Sequence, residues 1–288
     1  MKIGVGIPNS VAGATGRQIR EWAQRAEELG FSTLGTIGRV AYPTYDSLVA
    51  LTAAGAVTQR IGLMTDILLG PTYDPVHLAK MAASVDQLTD GRLVLGTGVG
   101  NRRDDFDLVG LPYEQRGKRW DSALELMHRA WKGEPIPPSP KPITPRPYNG
   151  ERVPMMFGGN SDQAIARVIK WGIGWTAGGG GPQAAAAGAE KVRVAWKSSG
   201  RDGAPRIVAL TYFAVGPNAR EWIDHYIIHS YYDFLGGFEK QFAARTSDNA
   251  DALKKEALAF ADAGIDELIF FPTSAEADQV EGLAEAVL

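Results

Sequence analysis

Phe157-Gly158-Gly159-Asn160-Ser161-Asp162-Gln163 is the stretch best built to hold an anion. Two glycines let backbone come close to a ligand, and Asn160 is placed to cap a following helix with Gln163 at the capping-box position. Free N–H groups and the helix dipole there favour a phosphate. Gly178-Gly179-Gly180-Gly181-Pro182 offers a second wall of the same kind. Without a ligand, the two stretches read as a capped helix and a flexible linker. Gly96-Thr97-Gly98-Val99-Gly100-Asn101 follows the apolar run 92–95 and is either a turn or a loop that brings backbone to a ligand. It misses the dinucleotide fingerprint G-x-G-x-x-G, because Asn101 stands where the last glycine belongs. Asp66 closes the apolar run 61–65 and either ties down its own loop or touches a ligand. His225 and His229 sit at i and i+4 but lack the glutamate of a metalloprotease helix, so no metal site is expected. With no cysteine, no nucleophile elbow and no Walker loop, the chemistry is expected to be that of a bound cofactor.

These residues need a frame that points them at one place. Ile19, Trp22, Ala23, Ala26 and Leu29 fall at helical spacing, Gly30 ends that helix, and the run 31–37 follows as a strand. The same sequence of helix, glycine and buried strand recurs around Gly172 and Gly264. Strand starts at Ile3, Phe31, Ile61, Arg92, Val153, Ile173, Arg206 and Glu267 give eight alternations, which favour a (β/α)8 barrel in one domain over residues 1–288. Two excursions interrupt the rhythm. Residues 133–152 carry seven prolines and should run extended after the fourth helix. Residues 217–262 hold several helices before the last strand, and include His225, Tyr226, His229, Tyr231, Tyr232 and Phe234. In a barrel the C-terminal ends of the strands form the functional face. That places Pro8, Asn9, Gly38, Arg39, Asp66 and the three glycine stretches around one mouth.

A net charge of −3 with 22% charged residues argues against nucleic acid or an anionic membrane as partner. The opening residues read as a first strand and not as a signal peptide, and no apolar run is long enough to span a bilayer, so a soluble cytoplasmic protein is expected.

In order and spacing, the segments 2–8, 26–31, 60–75, 90–100 and 154–161, with Gly110-Leu111-Pro112-Tyr113, Arg116, Gly117 and Arg119, resemble the bacterial luciferase-like flavin and deazaflavin oxidoreductases. That resemblance implies a TIM barrel binding FMN, or alternatively the deazaflavin coenzyme F-420, at the strand ends. It implies a non-proline cis peptide at Asp66-Ile67 beneath the cofactor ring, and cofactor contacts from Val99, Gly100 and Asn101. It assigns cofactor phosphate to Gly158, Gly159, Asn160 and Ser161 and to Gly178, Gly179 and Gly180. Many members carry an Asp-His pair after the second strand, where this chain has Gly38-Arg39. An arginine holds an anion or a carbonyl oxygen better than it moves a proton, so Arg39 becomes the candidate catalytic residue.

The leading expectation is a monooxygenase using reduced FMN and oxygen on a small organic substrate, supplied by a separate NAD(P)H:flavin reductase and assembled as a homodimer. The alternatives are an F-420-dependent reductase or dehydrogenase, and a flavin-binding protein with little catalysis. Tyr42, Tyr73, Phe106, Trp175 and Tyr232 either shield the mouth from water or belong to core and interface. Arg102, Arg103, Asp104 and Asp105 begin the next helix and are expected to pair at the surface.

Overall fold

The structure, a computed structural model, describes residues 1–233 and 236–288; Phe234 lies outside the described residues. The strands are β1 (Lys2–Gly6), β2 (Thr33–Thr36), β3 (Gly62–Thr65), β4 (Leu68–Leu69), β5 (Leu93–Gly98), β6 (Met155–Gly158), β7 (Gly174–Ala177), β8 (Arg206–Phe213) and β9 (Glu267–Pro272). Every pairing is parallel, and β3 joins β5 to close the sheet. Both β3 and β4 pair with β5. Leu63 pairs with Leu93 and Leu68 with Thr97, so five steps on one side oppose four on the other. They are one stave with a bulge in it, and the Asp66–Ile67 peptide inside the bulge is cis. Counted so, eight staves alternate with helices in a (β/α)8 barrel, as the sequence pattern predicts.

The helices that cover it begin where short polar residues stand. Thr15 forms a capping box with Gln18 ahead of α1 (Gly16–Leu29), and Gly30 ends that helix at φ 95°. Asp46 caps α2 (Ser47–Gly55), and Asp74 caps α3 (Pro75–Leu88) with a proline in its first turn. After β5 come the short α4 (Arg103–Leu108) and the long α5 (Arg116–Trp131), then α6 (Asp162–Trp171) and α7 (Gly181–Ser198). Residues 133–152 are non-helical as expected and lie against α3 and α5: Lys80 donates to the Thr144 carbonyl, Gln87 to that of Arg146, and Arg146 to that of Trp131. The second excursion comprises α8 (Ala219–Tyr226), a π-helical turn (Ile227–Tyr231) and α9 (Phe238–Arg245); α10 (Ala250–Asp262) then returns to the barrel wall and α11 (Asp278–Val287) closes the chain. No helix among the described residues is long and apolar enough to cross a membrane.

Two separate cores follow from the strand period of two. Along β8, Ile207, Ala209 and Phe213 pack outward with Trp22, Trp120, Trp131 and Trp175 beneath the helices. Val208, Leu210 and Tyr212 pack inward with Met64, Met156, Ile269 and Phe271. Glycines make room for the inner layer, since a Cβ on Gly6 would lie 2.3 Å from the Phe271 ring. At the base, the buried Glu267 carboxylate pairs with Arg206 and accepts from the Ser32 hydroxyl at 2.6 Å.

One expected boundary moves in an informative way. The run 92–95 was expected to end at the glycines, yet β5 continues through Gly96 and Gly98. A Cβ on Gly96 would lie 1.9 Å from the Thr65 carbonyl oxygen, and one on Gly98 2.1 Å from Ile67 Cδ1. These two glycines belong to the sheet because the bulged neighbour leans on them. Only Gly100, at φ 73°, makes the turn.

Candidate active site

The end of β2 is set by a buried asparagine. Asn9 Nδ2 donates to the Ile37 carbonyl at 2.8 Å, and the Ile37 N–H donates to Asn9 Oδ1 at 3.2 Å, a two-way clamp across 28 residues. Beyond it, the Gly38 N–H donates to the Ile67 carbonyl at 3.1 Å, which joins this loop to the bulge. Arg39 comes next, its side chain 6% exposed, with Nε 2.7 Å from Asp105 Oδ2 and Nη2 2.8 Å from Asp104 Oδ2. Asp105 Oδ1 accepts from the N–H groups of Val40 and Ala41 at 2.7 and 2.8 Å. The first turn of α4 therefore holds the β2 loop in place through one buried carboxylate. This corrects the expectation of surface pairing: Arg103 does pair with Glu114 in solvent, whereas Asp105 is 1% exposed.

The bulge supplies the deepest polar group. Asp66 is 1% exposed, its Oδ1 accepts from the Thr176 hydroxyl at 2.7 Å, and its buried Oδ2 has no hydrogen-bond partner among the described residues. Burial pushes this carboxyl up to about 7; the Thr176 bond and Arg206 pull it back, and Glu267 adds to the rise. Across from it, Gly100 turns its carbonyl to Arg116 and Asn101 turns its own to the Tyr113 hydroxyl, so both acceptors point at the start of α5.

Arg102 is the second correction. Its Nη1 donates to the Tyr231 carbonyl at 2.8 Å, and its guanidinium lies 4.7 Å from the Tyr231 ring centroid and 5.4 Å from that of Tyr232. Tyr231 also stacks on Tyr226 at 5.5 Å, and the Tyr212 and Tyr232 hydroxyls lie 2.9 Å apart. Burial raises the phenols of Tyr212, Tyr226 and Tyr231 well above the ordinary tyrosine value and pushes Tyr232 up to about 12. This wall stays protonated.

These parts enclose a cavity of about 300 Å³ at the C-terminal mouth of the barrel. Of the residues singled out in the sequence for the mouth, Gly38, Arg39, Asp66, Ile67, Gly100, Asn101, Gly178 and Gly179 line it. Val99 instead packs against the outer core. Gly158 sits behind Ile67, 3.6 Å from where a Cβ would reach, and the carbonyl of Gly159 is taken by Trp175 Nε1. Asn160 does not cap α6. Ser161 does, accepting from the Ala164 N–H at 3.2 Å, which puts Gln163 at the second helical position and removes the expected capping box. Gly180 precedes α7 with no side-chain cap.

Of the five aromatics, only Tyr232 lines the cavity. Tyr42 packs edge-on to Tyr231 behind it, and Tyr73 bonds to Asp46. Phe106 and Trp175 are buried side chains, Trp175 lying against the Gly188 backbone of α7. The residues missed were Leu210 and Tyr212, which the inward parity of β8 would have placed at the mouth, and Arg102 and Asp105. A larger open cleft, about 650 Å³, is lined by His225, His229 and Glu221 of the second excursion and by the loops after β1 (Val11, Ala14) and β9 (Thr273, Glu276). Among the described residues, no group of three His, Asp or Glu side chains converges as metal ligands would. The smaller cavity is the candidate site because segments from four staves, after β2, in the bulge, after β5 and after β7, converge on it, against two for the cleft.

A family model for luciferase-like monooxygenases matches residues 1–286. The chain belongs to that family. Within the luciferase-like family, an uncharacterized protein of Mycobacterium tuberculosis, Rv0940c, is 32% identical over 148 residues, 49% of this chain and 50% of that protein, so the chain spans about half the length of this relative. Two solved structures share the barrel across nearly the whole chain. The monooxygenase RslO1 from Streptomyces bottropensis has a TM-score of 0.80 at 18% identity, covering 99% of this chain and 98% of that one. An F420-dependent secondary alcohol dehydrogenase, in complex with an F420-acetone adduct, has a TM-score of 0.78 at 18% identity with the same coverage.

Proposed function

We propose that this luciferase-like protein is a cytoplasmic, homodimeric monooxygenase that binds reduced FMN in the barrel-mouth cavity and acts on a small organic substrate. The observation that carries this reading is the convergence of four strand-end segments, at Arg39, Asp66-Ile67, Gly100-Asn101 and Gly178-Gly179, on one cavity walled by buried tyrosines. The residues fit such a group. Ile67 offers an apolar support and Gly178 offers bare backbone, for a Cβ there would meet no atom within 4 Å. The N-terminus of α7, preceded by Gly180 with no side-chain cap, leaves N–H groups for a phosphate. When bound, reduced FMN supplies the electrons that activate oxygen, of which one atom enters the substrate and the other leaves as water.

The protein's own part is to orient and to shield. Tyr212, Tyr231, Tyr232 and Leu210 exclude water from the cavity. Arg39, held by two carboxylates, presents a fixed guanidinium edge to a carbonyl oxygen and is placed to polarise it. A separate NAD(P)H:flavin reductase is the electron source in this reading. RslO1, named a monooxygenase, supports it by overall likeness.

A second reading, hydride transfer with coenzyme F-420, has support in the F420-dependent dehydrogenase of the same barrel. Titrating the purified protein with FMN and with F-420 separates the two. Saturable FMN binding, with substrate conversion and oxygen uptake stoichiometric with reduced flavin, is the expected result; tight binding of F-420 and none of FMN would overturn it. The site itself is tested by Gly178→Asp. The added carboxylate meets open space, so the fold should persist while FMN affinity drops by at least about tenfold through repulsion of the phosphate.

A further inference from the structure

Five tyrosine rings, those of Tyr42, Tyr212, Tyr226, Tyr231 and Tyr232, touch one another around the mouth, and four of their hydroxyls are matched. Tyr212 and Tyr232 pair with each other at 2.9 Å, Tyr226 pairs with Ser10 at 2.7 Å, and Tyr42 pairs with Ser230. Tyr231 is different. Among the described residues nothing bonds its hydroxyl; it lines the cavity and is 4% exposed, yet its oxygen, unlike Asp66 Oδ2, is not sealed from accessible surface. The ring cannot turn away. Tyr226 stacks on it at 5.5 Å, the rings of Tyr42 and Tyr232 meet it edge-on at 5.1 and 4.9 Å, and Arg102 donates to its carbonyl. Arg39, which lines the same cavity, has its guanidinium carbon 6.0 Å from the Tyr231 ring centroid. A hydroxyl held rigidly in a buried wall with no acceptor of its own is a loss unless a ligand supplies that acceptor.

We propose that the Tyr231 hydroxyl and the Arg39 guanidinium form a two-donor clamp for one oxygen of the substrate, the carbonyl oxygen of an uncharged ketone, aldehyde or ester. This inference rests on the cavity being the active site, and narrows its small organic substrate to a carbonyl compound. A guanidinium has donors only, and a phenol that keeps its proton has one to give, whereas a carbonyl oxygen offers two lone pairs, one for each. Charge decides between a carbonyl and a carboxylate. Burial first, and then Tyr232, Asp105 and Tyr42 against Arg39, hold the Tyr231 phenol well above its ordinary value, so negative charge is disfavoured at that oxygen. Arg39 is itself already matched by Asp104 and Asp105. A neutral acceptor takes both bonds without bringing a further charge into a buried site. Tyr231 thus supplies from the second excursion a contact to the substrate oxygen that no barrel stave provides.

Tyr231→Phe keeps the ring and its stacking and removes one hydroxyl that bonds nothing, so the ligand-free variant should melt at the wild-type temperature. The purified proteins, before and after loading with FMN, are titrated with cyclohexanone and with methylenecyclohexane, which has the same shape and no acceptor oxygen. Tyr231→Phe should bind the ketone roughly fivefold more weakly and the alkene as the wild type does. The infrared C=O stretch of bound cyclohexanone should lie below its position in hydrocarbon solvent, and should move up in Tyr231→Phe. An unchanged ketone affinity and band in that variant, an equal loss for ketone and alkene, or no saturable ketone binding to the wild type overturns the clamp. Cyclohexanecarboxylate should bind more weakly than the ketone; tighter binding overturns the assignment of an uncharged carbonyl. Leu210→Trp, whose indole fills the cavity, keeps the failures apart. If that variant binds the ketone like the wild type, the cavity reading fails; if it loses the ketone while Tyr231→Phe loses nothing, only the clamp fails. A wild type that takes no FMN but gives the ketone results fails the monooxygenase reading alone.

Discussion

Asp105 shows how a residue can be plain in sequence and still be misread. Four charges in a row after a strand look like the solvated start of a helix, which holds for Arg103 and for the half-exposed Asp104. Asp105 turns inward because the β2 loop closes over α4, a tertiary event that no local pattern announces. It satisfies two N–H groups and the Arg39 guanidinium together. Asp105→Ala should therefore cost about 3 kcal/mol, since it leaves two N–H donors without their acceptor and the buried Arg39 guanidinium with Asp104 as its one remaining carboxylate; urea unfolding would measure it, and a loss below about 1 kcal/mol would contradict this account. Asp66 makes the complementary case. Its folded-state value, about 7, lies above the ordinary 3.8, so its contribution to stability is fully present below about pH 4 and is lost as pH rises towards 7. Stability should decline by about 1.4 kcal/mol per pH unit across that window in the wild type relative to Asp66→Asn, as read by denaturant midpoints at each pH. The sequence placed Asp66 at a strand end; its burial and its unpartnered oxygen were visible only with the barrel closed.

Among elements, the glycines of β5 carry the clearest lesson. A run of alternating glycines after an apolar stretch reads as a loop, because glycine weakens a strand unless something presses against it. Here the bulged stave presses, and Gly96 and Gly98 are strand residues. Gly96→Ala would drive a Cβ into a backbone oxygen, so the sheet must shift at that point; a destabilisation of at least about 2 kcal/mol in thermal or urea unfolding is expected. Gly174→Ala, equally close to the Arg206 carbonyl oxygen, should behave alike. Helix starts depend on less that is distant, since Thr15, Asp46 and Asp74, none of them read from the sequence as caps, act through local bonds. The one-residue error at α6, Ser161 for Asn160, arose because both side chains are good caps and only the backbone turn decides between them.

At the scale of the whole molecule, eightfold alternation made the barrel readable, while the second excursion hid the part of the cavity wall that Tyr231 and Tyr232 form. Strand parity governs Leu210 and Tyr212 and could have been followed from β8; the approach of Tyr231 and Tyr232 depends on how a π-helical turn, outside any barrel repeat, folds back over the mouth. The closed sheet makes each stave depend on two neighbours, so unfolding should be one cooperative transition. Far-ultraviolet circular dichroism and tryptophan fluorescence should give coincident curves, because Trp22, Trp120, Trp131 and Trp175 are spread around the shell beneath the helices. The excursion is attached differently. Tyr226 meets Ser10 and Tyr232 meets Tyr212 through hydroxyl pairs, and its helices add no strand to the sheet. A lineage built on this plan can rewrite one segment between β8 and β9, and so exchange what the cavity admits, while the register of every stave is inherited unchanged.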